Sequence, residues 1–293
     1  MSFSDKETSR YSAKPVELYL FVYGDADTTV IAYTTAEQAI TFGTNPVSGV
    51  PLVYQPVPLS RGKITMSGTL DKATLTVTVP QDSSISLLFR TYPPSSVTSL
   101  TVRQGHVGDG DFKVVWMGRV LSHSLKKSQA ELTCQSSATS MRRVGLRRRY
   151  QYGCPLVLYG ADCRANKTAA TSTLTVDAAS GSRVTIRGTW AGSAVADKYV
   201  QGIAEWTNGD GTTEVRTILR AENGGTTFQL SGPVRDLAPG ASIKLIYGCN
   251  HRSGTPAQPD GDCGPLHANV QNFGGQEYIP FKSPFGTLSN PFY

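Results

Sequence analysis

The residues best able to do chemistry in this chain are its five cysteines, Cys134, Cys154, Cys163, Cys249 and Cys263. Cys134 stands in AELTCQSS, where neighbouring residues alternate in polarity, so it reads as a structural thiol buried under a strand. The other four are placed differently. They are separated by 9, 86 and 14 positions and lie in loop-like contexts: Tyr-Gly-Cys-Pro, Ala-Asp-Cys-Arg, Tyr-Gly-Cys-Asn and Gly-Asp-Cys-Gly. Four thiolates can hold a structural zinc, but such sites usually carry tight C-x(2–4)-C pairs, which are absent here. Iron–sulfur clusters take the same four ligands at wider spacings. Disulfides are disfavoured in a chain whose start, MSFSDKETSRYSAK, lacks the apolar core of a signal peptide, and a cytoplasmic origin is expected. Four unrelated buried thiols are the plainest alternative, and spacing alone leaves these readings open. His251 and His267 flank the second cysteine pair and read as loop histidines rather than ligands. His106, in Gly-His-Val-Gly-Asp-Gly, reads as a turn residue.

The elements that must position these thiols are strands. PVELYLFVY (15–23) and the β-branched run 28–34 read as an opening hairpin. In 73–79, Leu75, Val77 and Val79 face one way and the intervening threonines the other. Further strands are expected over 63–70, 85–92, 97–103, 112–125 and 129–136, with one short helix near 35–40. A second series runs from TSTLTVD at Thr171 to ASIKLIYG ending at Gly248, with Asn208-Gly209-Asp210-Gly211 and Asn223-Gly224-Gly225 supplying turns. The expected fold is therefore all-β and mainly antiparallel. It comprises an N-terminal β domain (1–140), an Arg/Cys-rich junction (141–170), an inserted β module (171–248) and an irregular, aromatic docking tail (249–293). Because the inserted module leaves and returns, its two ends should lie together, and with them both cysteine pairs. The opening strand, around Leu18, Leu20 and Val22, is taken as a free edge for contacts between subunits.

Composition agrees. Of 293 residues, 29 are glycine and 17 proline, punctuation that a long helical bundle would not tolerate. No apolar run is long enough to span a bilayer, so no membrane contact is expected. The net charge is +6, with Arg142, Arg143, Arg147, Arg148 and Arg149 grouped just before Cys154. That stretch is compatible with hydrogen bonds around a metal centre, with a surface facing nucleic acid, or with plain solvation. No Gly-x-Ser-x-Gly elbow, His-Glu-x-x-His helix or P-loop is present, so an enzyme is not expected.

The run RRVGLRRRYQYGCPLVLYGADC (142–163), followed by IYGCNHR and DCGPLHANVQNFGGQEYIP (262–280), resembles the baseplate hub, or tail-tip, proteins of long-tailed siphophages and gene transfer agents. Asn269, Asn272, Phe273, Gly274, Gly275 and Pro280 carry the later part of the likeness. The resemblance implies a structural virion protein, assembled in the bacterial host cytoplasm and placed at the tail tip. It would form a homo-oligomer, a trimer about the tail axis, linking the distal tail protein and tail tube to central fibre or spike components. The tape-measure protein would be a neighbour, and DNA would be met only during ejection. It also implies a 4Fe-4S cluster on Cys154, Cys163, Cys249 and Cys263. The alternatives are a host-surface carbohydrate-binding adhesin, or a structural protein stabilised by a four-cysteine zinc site.

Overall fold

A computed structural model describes residues 7–9, 14–24, 29–46, 48–64, 74–108, 110–142, 145, 150–188 and 193–279. The fold is all-β, and the chain divides into two units. No helix among the described residues is long and apolar enough to cross a membrane.

The first unit comprises Met1–Arg143 with Thr207–Glu214. Its strands are β1 (Pro15–Tyr23), β2 (Thr29–Thr34), β3 (Ile40–Thr44), β4 (Pro51–Pro56), β5 (Ser60–Arg61), β6 (Thr74–Pro80), β7 (Ser99–His106), β8 (Lys113–Lys126) and β9 (Gln129–Ser136). They form one sheet in the order β3-β4-β2-β1-β7-β8-β9-β6-β5, antiparallel except where β2 meets β4. The opening hairpin forms as expected, with Leu18 opposite Thr34 and Tyr23 opposite Thr29.

β1 is not an edge. It pairs with β2 on one side and β7 on the other, and both of its faces are covered. Val16 and Leu18 pack with Leu52, Tyr54 and Phe112, while Tyr19 and Phe21 enter the main core. Burial on both faces explains why PVELYLFVY is apolar nearly throughout rather than alternating. β6 alternates as read, Leu75, Val77 and Val79 pointing inward.

Two local expectations are corrected. Residues 85–92 are not a strand, since Ser84–Arg90 forms a helix, α1. The Ser83 hydroxyl caps it by accepting from the Ser86 N–H, and Ile85 and Phe89, four apart, share its buried face. The segment 35–40 forms no helix: it bends and enters β3 at Ile40. Of the expected strand 63–70, residues 65–70 lie outside the described residues. His106 is the last residue of β7 and is buried, with Nε2 3.3 Å from a Glu7 carboxylate oxygen.

Cys134, on β9, is fully buried in this core, and burial pushes its thiol up to about 12 from an ordinary 9.0. The folded chain keeps this proton across that interval, whereas the unfolded chain releases it near its ordinary value. The stabilising contribution is therefore full below about pH 9 and is lost as pH rises toward about 12. Denaturation midpoints of wild type and Cys134→Ala, measured across that window, should converge as pH rises. Parallel curves would show that Cys134 titrates normally in the fold.

The second unit comprises Val144–Trp206 with Val215–Tyr293. Six strands close a barrel: β10 (Thr171–Ser180), β11 (Arg183–Ile186), β12 (Ile203–Thr207), β13 (Thr213–Glu222), β14 (Thr227–Leu230) and β15 (Ser242–Ile246), in the order β10-β11-β14-β13-β12-β15. A register shift between Val176 and Ala178 lets β10 pair with β15 along its first half and with β11 along its second. Such a bulge bends a strand round the corner that closure requires. Val184, Ile218, Phe228 and Leu245 fill the interior. Between β13 and β14, Asn223, Gly224 and Gly225 take φ of 51°, 67° and 95°, the turn that the sequence announced.

Candidate metal centre

The first and last barrel strands are neighbours, and their outer ends coincide: Thr171 of β10 is the cross-strand partner of Ile246 of β15. Tyr247 N–H extends this ladder by donating to Ala170 O at 3.1 Å. The chain that enters the barrel and the chain that leaves it are thereby held together. The Tyr159 hydroxyl donates to Tyr247 O at 2.7 Å, pinning the segment between Cys154 and Cys163 to the residues that precede Cys249. The second pair is tied back in turn, since Cys154 N–H donates to His251 O at 2.8 Å and Cys263 N–H to Arg252 O at 3.1 Å. Cys163, Cys249 and Cys263 are buried, Cys154 is half-buried, and none forms a disulfide.

Three N–H groups are directed at these sulfurs. His251 N–H donates to Cys249 Sγ and Gly274 N–H to Cys154 Sγ, both at 3.4 Å, and Asn269 Nδ2 lies 3.7 Å from Cys163 Sγ. Hydrogen bonds to sulfur stabilise a thiolate over a thiol. The Gly274 contact needs close chain approach. A Cβ on Gly274 would stand 2.9 Å from Leu156 Cγ, and one on Gly275 2.7 Å from Tyr152 O.

Burial pushes the Cys263 thiol up to about 12, and the thiols of Cys249, Cys154 and Cys163 add to that shift. Burial also raises Cys249, with smaller contributions from Asp262, Cys154 and Cys163, against the lowering effect of the His251 N–H. The four thiols thus stand within electrostatic reach of one another and would repel as thiolates unless cations lay between them. Among the described residues, no three His, Cys, Asp or Glu side chains converge closely enough to hold one metal ion.

The backbone around the thiols is unusual. Tyr159, Arg164, His251 and Ala268 all have φ between 48° and 60°, a left-handed conformation that costs side-chain-bearing residues energy and collects at functional sites. The two histidines have backbone partners, as expected from the sequence. His251 Nδ1–H donates to Cys154 O at 2.9 Å, and His267 Nε2–H to Gly248 O at 2.7 Å. A carbonyl can only accept, so both tautomers are fixed. The side chains of Arg142, Arg143, Arg147, Arg148 and Arg149 lie outside the described residues, as do Phe281, Phe285, Phe292 and Tyr293. Of the described tail aromatics, Tyr278 is exposed.

Comparison with known proteins gives three findings. A family model described as "Phage conserved hypothetical protein BR0599" matches residues 197–283, a stretch that contains Cys249 and Cys263 but neither Cys154 nor Cys163. An uncharacterized protein of Xylella fastidiosa (strain 9a5c) is 27% identical over 178 residues, covering 56% of this chain and 35% of the relative. The chain thus spans about a third of that relative's length. Among solved structures, a chain from the virion of a native gene transfer agent (GTA) particle shares the fold, with a TM-score of 0.70 at 15% identity. The likeness covers 96% of this chain and 93% of the other.

Proposed function

We propose that this chain is a structural protein of a phage-type virion, a baseplate hub at the tail tip, and that Cys154, Cys163, Cys249 and Cys263 hold a 4Fe-4S cluster. The observation that carries the cluster is the pairing of Thr171 with Ile246, which gathers two cysteine pairs 86 positions apart at one end of the barrel. Four free thiols with N–H donors directed at three of them form a donor set that fits the group. The same four-thiolate donor set would also take a structural zinc, and the metal content of the purified protein separates the two.

The hub role draws support from the phage family match over 197–283 and from a fold shared almost end to end with a gene transfer agent virion chain. When bound, the cluster supplies iron–thiolate cross-links between segments that enter and leave the barrel. The chain's own residues do the rest: Tyr159 and His251 join the two segments, and three N–H groups donate toward the sulfurs of Cys154, Cys163 and Cys249. In the virion the protein would form a trimer about the tail axis, bounded by the distal tail protein, the central fibre or spike and the tape-measure protein.

Anaerobically purified protein should contain about four irons and as many inorganic sulfides per chain. Stoichiometric zinc without iron would replace the cluster by a four-thiolate zinc site. Labelling this chain in intact particles should place it at the distal tail end, and a capsid location would overturn the hub role.

A further inference from the structure

Cys163 and Cys263 are 100 positions apart, and neither lies in a strand or helix whose ladder could fix their separation. One residue spans them, with its backbone on one side and its side chain on the other. Asn269, 7% exposed, donates its backbone N–H to Cys263 O at 2.9 Å and its Nδ2 to Cys163 O at 2.6 Å. The same Nδ2 lies 3.7 Å from Cys163 Sγ, within reach of a hydrogen bond to sulfur. The amide has only one workable orientation, because the Cys163 carbonyl can only accept, so the NH2 group must face it. Asn272 holds that orientation by donating its own Nδ2 to Asn269 Oδ1 at 2.7 Å. Among the described residues, Asn269 supplies the one side-chain donor to a thiol of this group, the other two donors being backbone N–H groups.

We propose that Asn269, oriented by Asn272, is the positioning residue of the centre. It sets Cys163 against Cys263 and directs an N–H at the Cys163 sulfur. The inference rests on the cluster reading above and adds a residue that is not itself a ligand. An N–H directed at a ligand sulfur withdraws electron density from it, which favours the more negative, reduced state and raises the potential. Because Asn269 also grips the Cys163 carbonyl, its loss frees that ligand's backbone and speeds release of iron.

The test uses the full chain, purified anaerobically as wild type, Asn269→Leu and Asn272→Asp. Leucine matches asparagine in shape and lacks the donor. Aspartate at 272 leaves Asn269 in place but, when ionised, cannot donate to its Oδ1. Asn269→Leu should release iron to a chelator at least tenfold faster than wild type. In a titration followed by electron paramagnetic resonance, its one-electron equilibrium should shift about tenfold toward the oxidised form, a fall of about 59 mV. Asn272→Asp should shift in the same direction by less. If Asn269→Leu takes up no iron, a lowered potential in Asn272→Asp still supports the inference, and a wild-type potential there overturns it. Wild-type potentials in both variants overturn the positioning role and leave the cluster standing. A wild type without iron overturns the cluster and this inference together.

Discussion

Cys249→Ser protein, purified anaerobically, should hold fewer than one iron per chain where the wild type holds about four, and its visible absorbance should vanish. Cys249 is buried three residues beyond the end of β15, so its backbone is fixed by the barrel and by Gly248. The thiolate is the ligand, and a serine hydroxyl is far harder to ionise than a thiol. The His251 N–H now directed at the sulfur would meet a neutral, shorter oxygen. Cys134→Ala provides the contrast, because Cys134 lies in the core of the other unit and its loss should leave iron content unchanged. Equal iron in Cys249→Ser and wild type would remove Cys249 from the ligand set. Loss of iron in Cys134→Ala to the same degree would mean that the assay follows folding rather than ligation.

What the sequence made legible follows from period. Leu75, Val77 and Val79 alternate, and so do the residues round Cys134, because one sheet face is buried and the other is not. The turn at Asn223-Gly224-Gly225 was readable because positive φ restricts the residues that a turn accepts. Period misled at 85–92, where a short apolar run fits helix and strand alike. There the Ser83 cap decided the outcome. An opening strand such as β1 carries no local sign of its neighbours, and β7, about 75 residues later, returns beside it and makes it interior. At the candidate centre the cysteines were visible as residue types, and their grouping followed from a module that leaves and returns. The donors were not legible. Asn269, Gly274 and the backbone of His251 sit in irregular chain, where no repeat says which group will face a sulfur. The Asn-x-x-Asn spacing of Asn269 and Asn272 was the one available sign. It gains meaning only once the left-handed turn at Ala268 has aimed the first amide inward.

Gly248 joins barrel stability to the centre, and Gly248→Ala should cost about 3 kcal/mol, with Gly248→Val costing more. A Cβ on Gly248 would stand 1.8 Å from Val200 O and 2.8 Å from Gly202 N, both backbone atoms that cannot rotate aside. Gly202 faces the mirror constraint, since its own Cβ would lie 2.1 Å from Ile246 O. Two glycines therefore let the chain leaving β15 press against the chain entering β12. The contact is held by Gly248 N–H donating to Lys198 O at 2.8 Å and by His267 donating to Gly248 O at 2.7 Å. A side chain here must push the exit strand outward, and Cys249, the next residue, moves with it. Chemical denaturation and iron analysis should fail together, with a lowered midpoint and less metal in the same variant. Gly209→Ala is the control, because nothing lies within 4 Å of a Cβ there and the cost should stay within about 0.5 kcal/mol. A Gly248→Ala protein as stable as wild type would mean that the exit strand yields freely. Normal stability with lost iron would confine the role of Gly248 to aiming Cys249. A large loss of stability with full iron would separate the barrel's closure from the thiols it gathers.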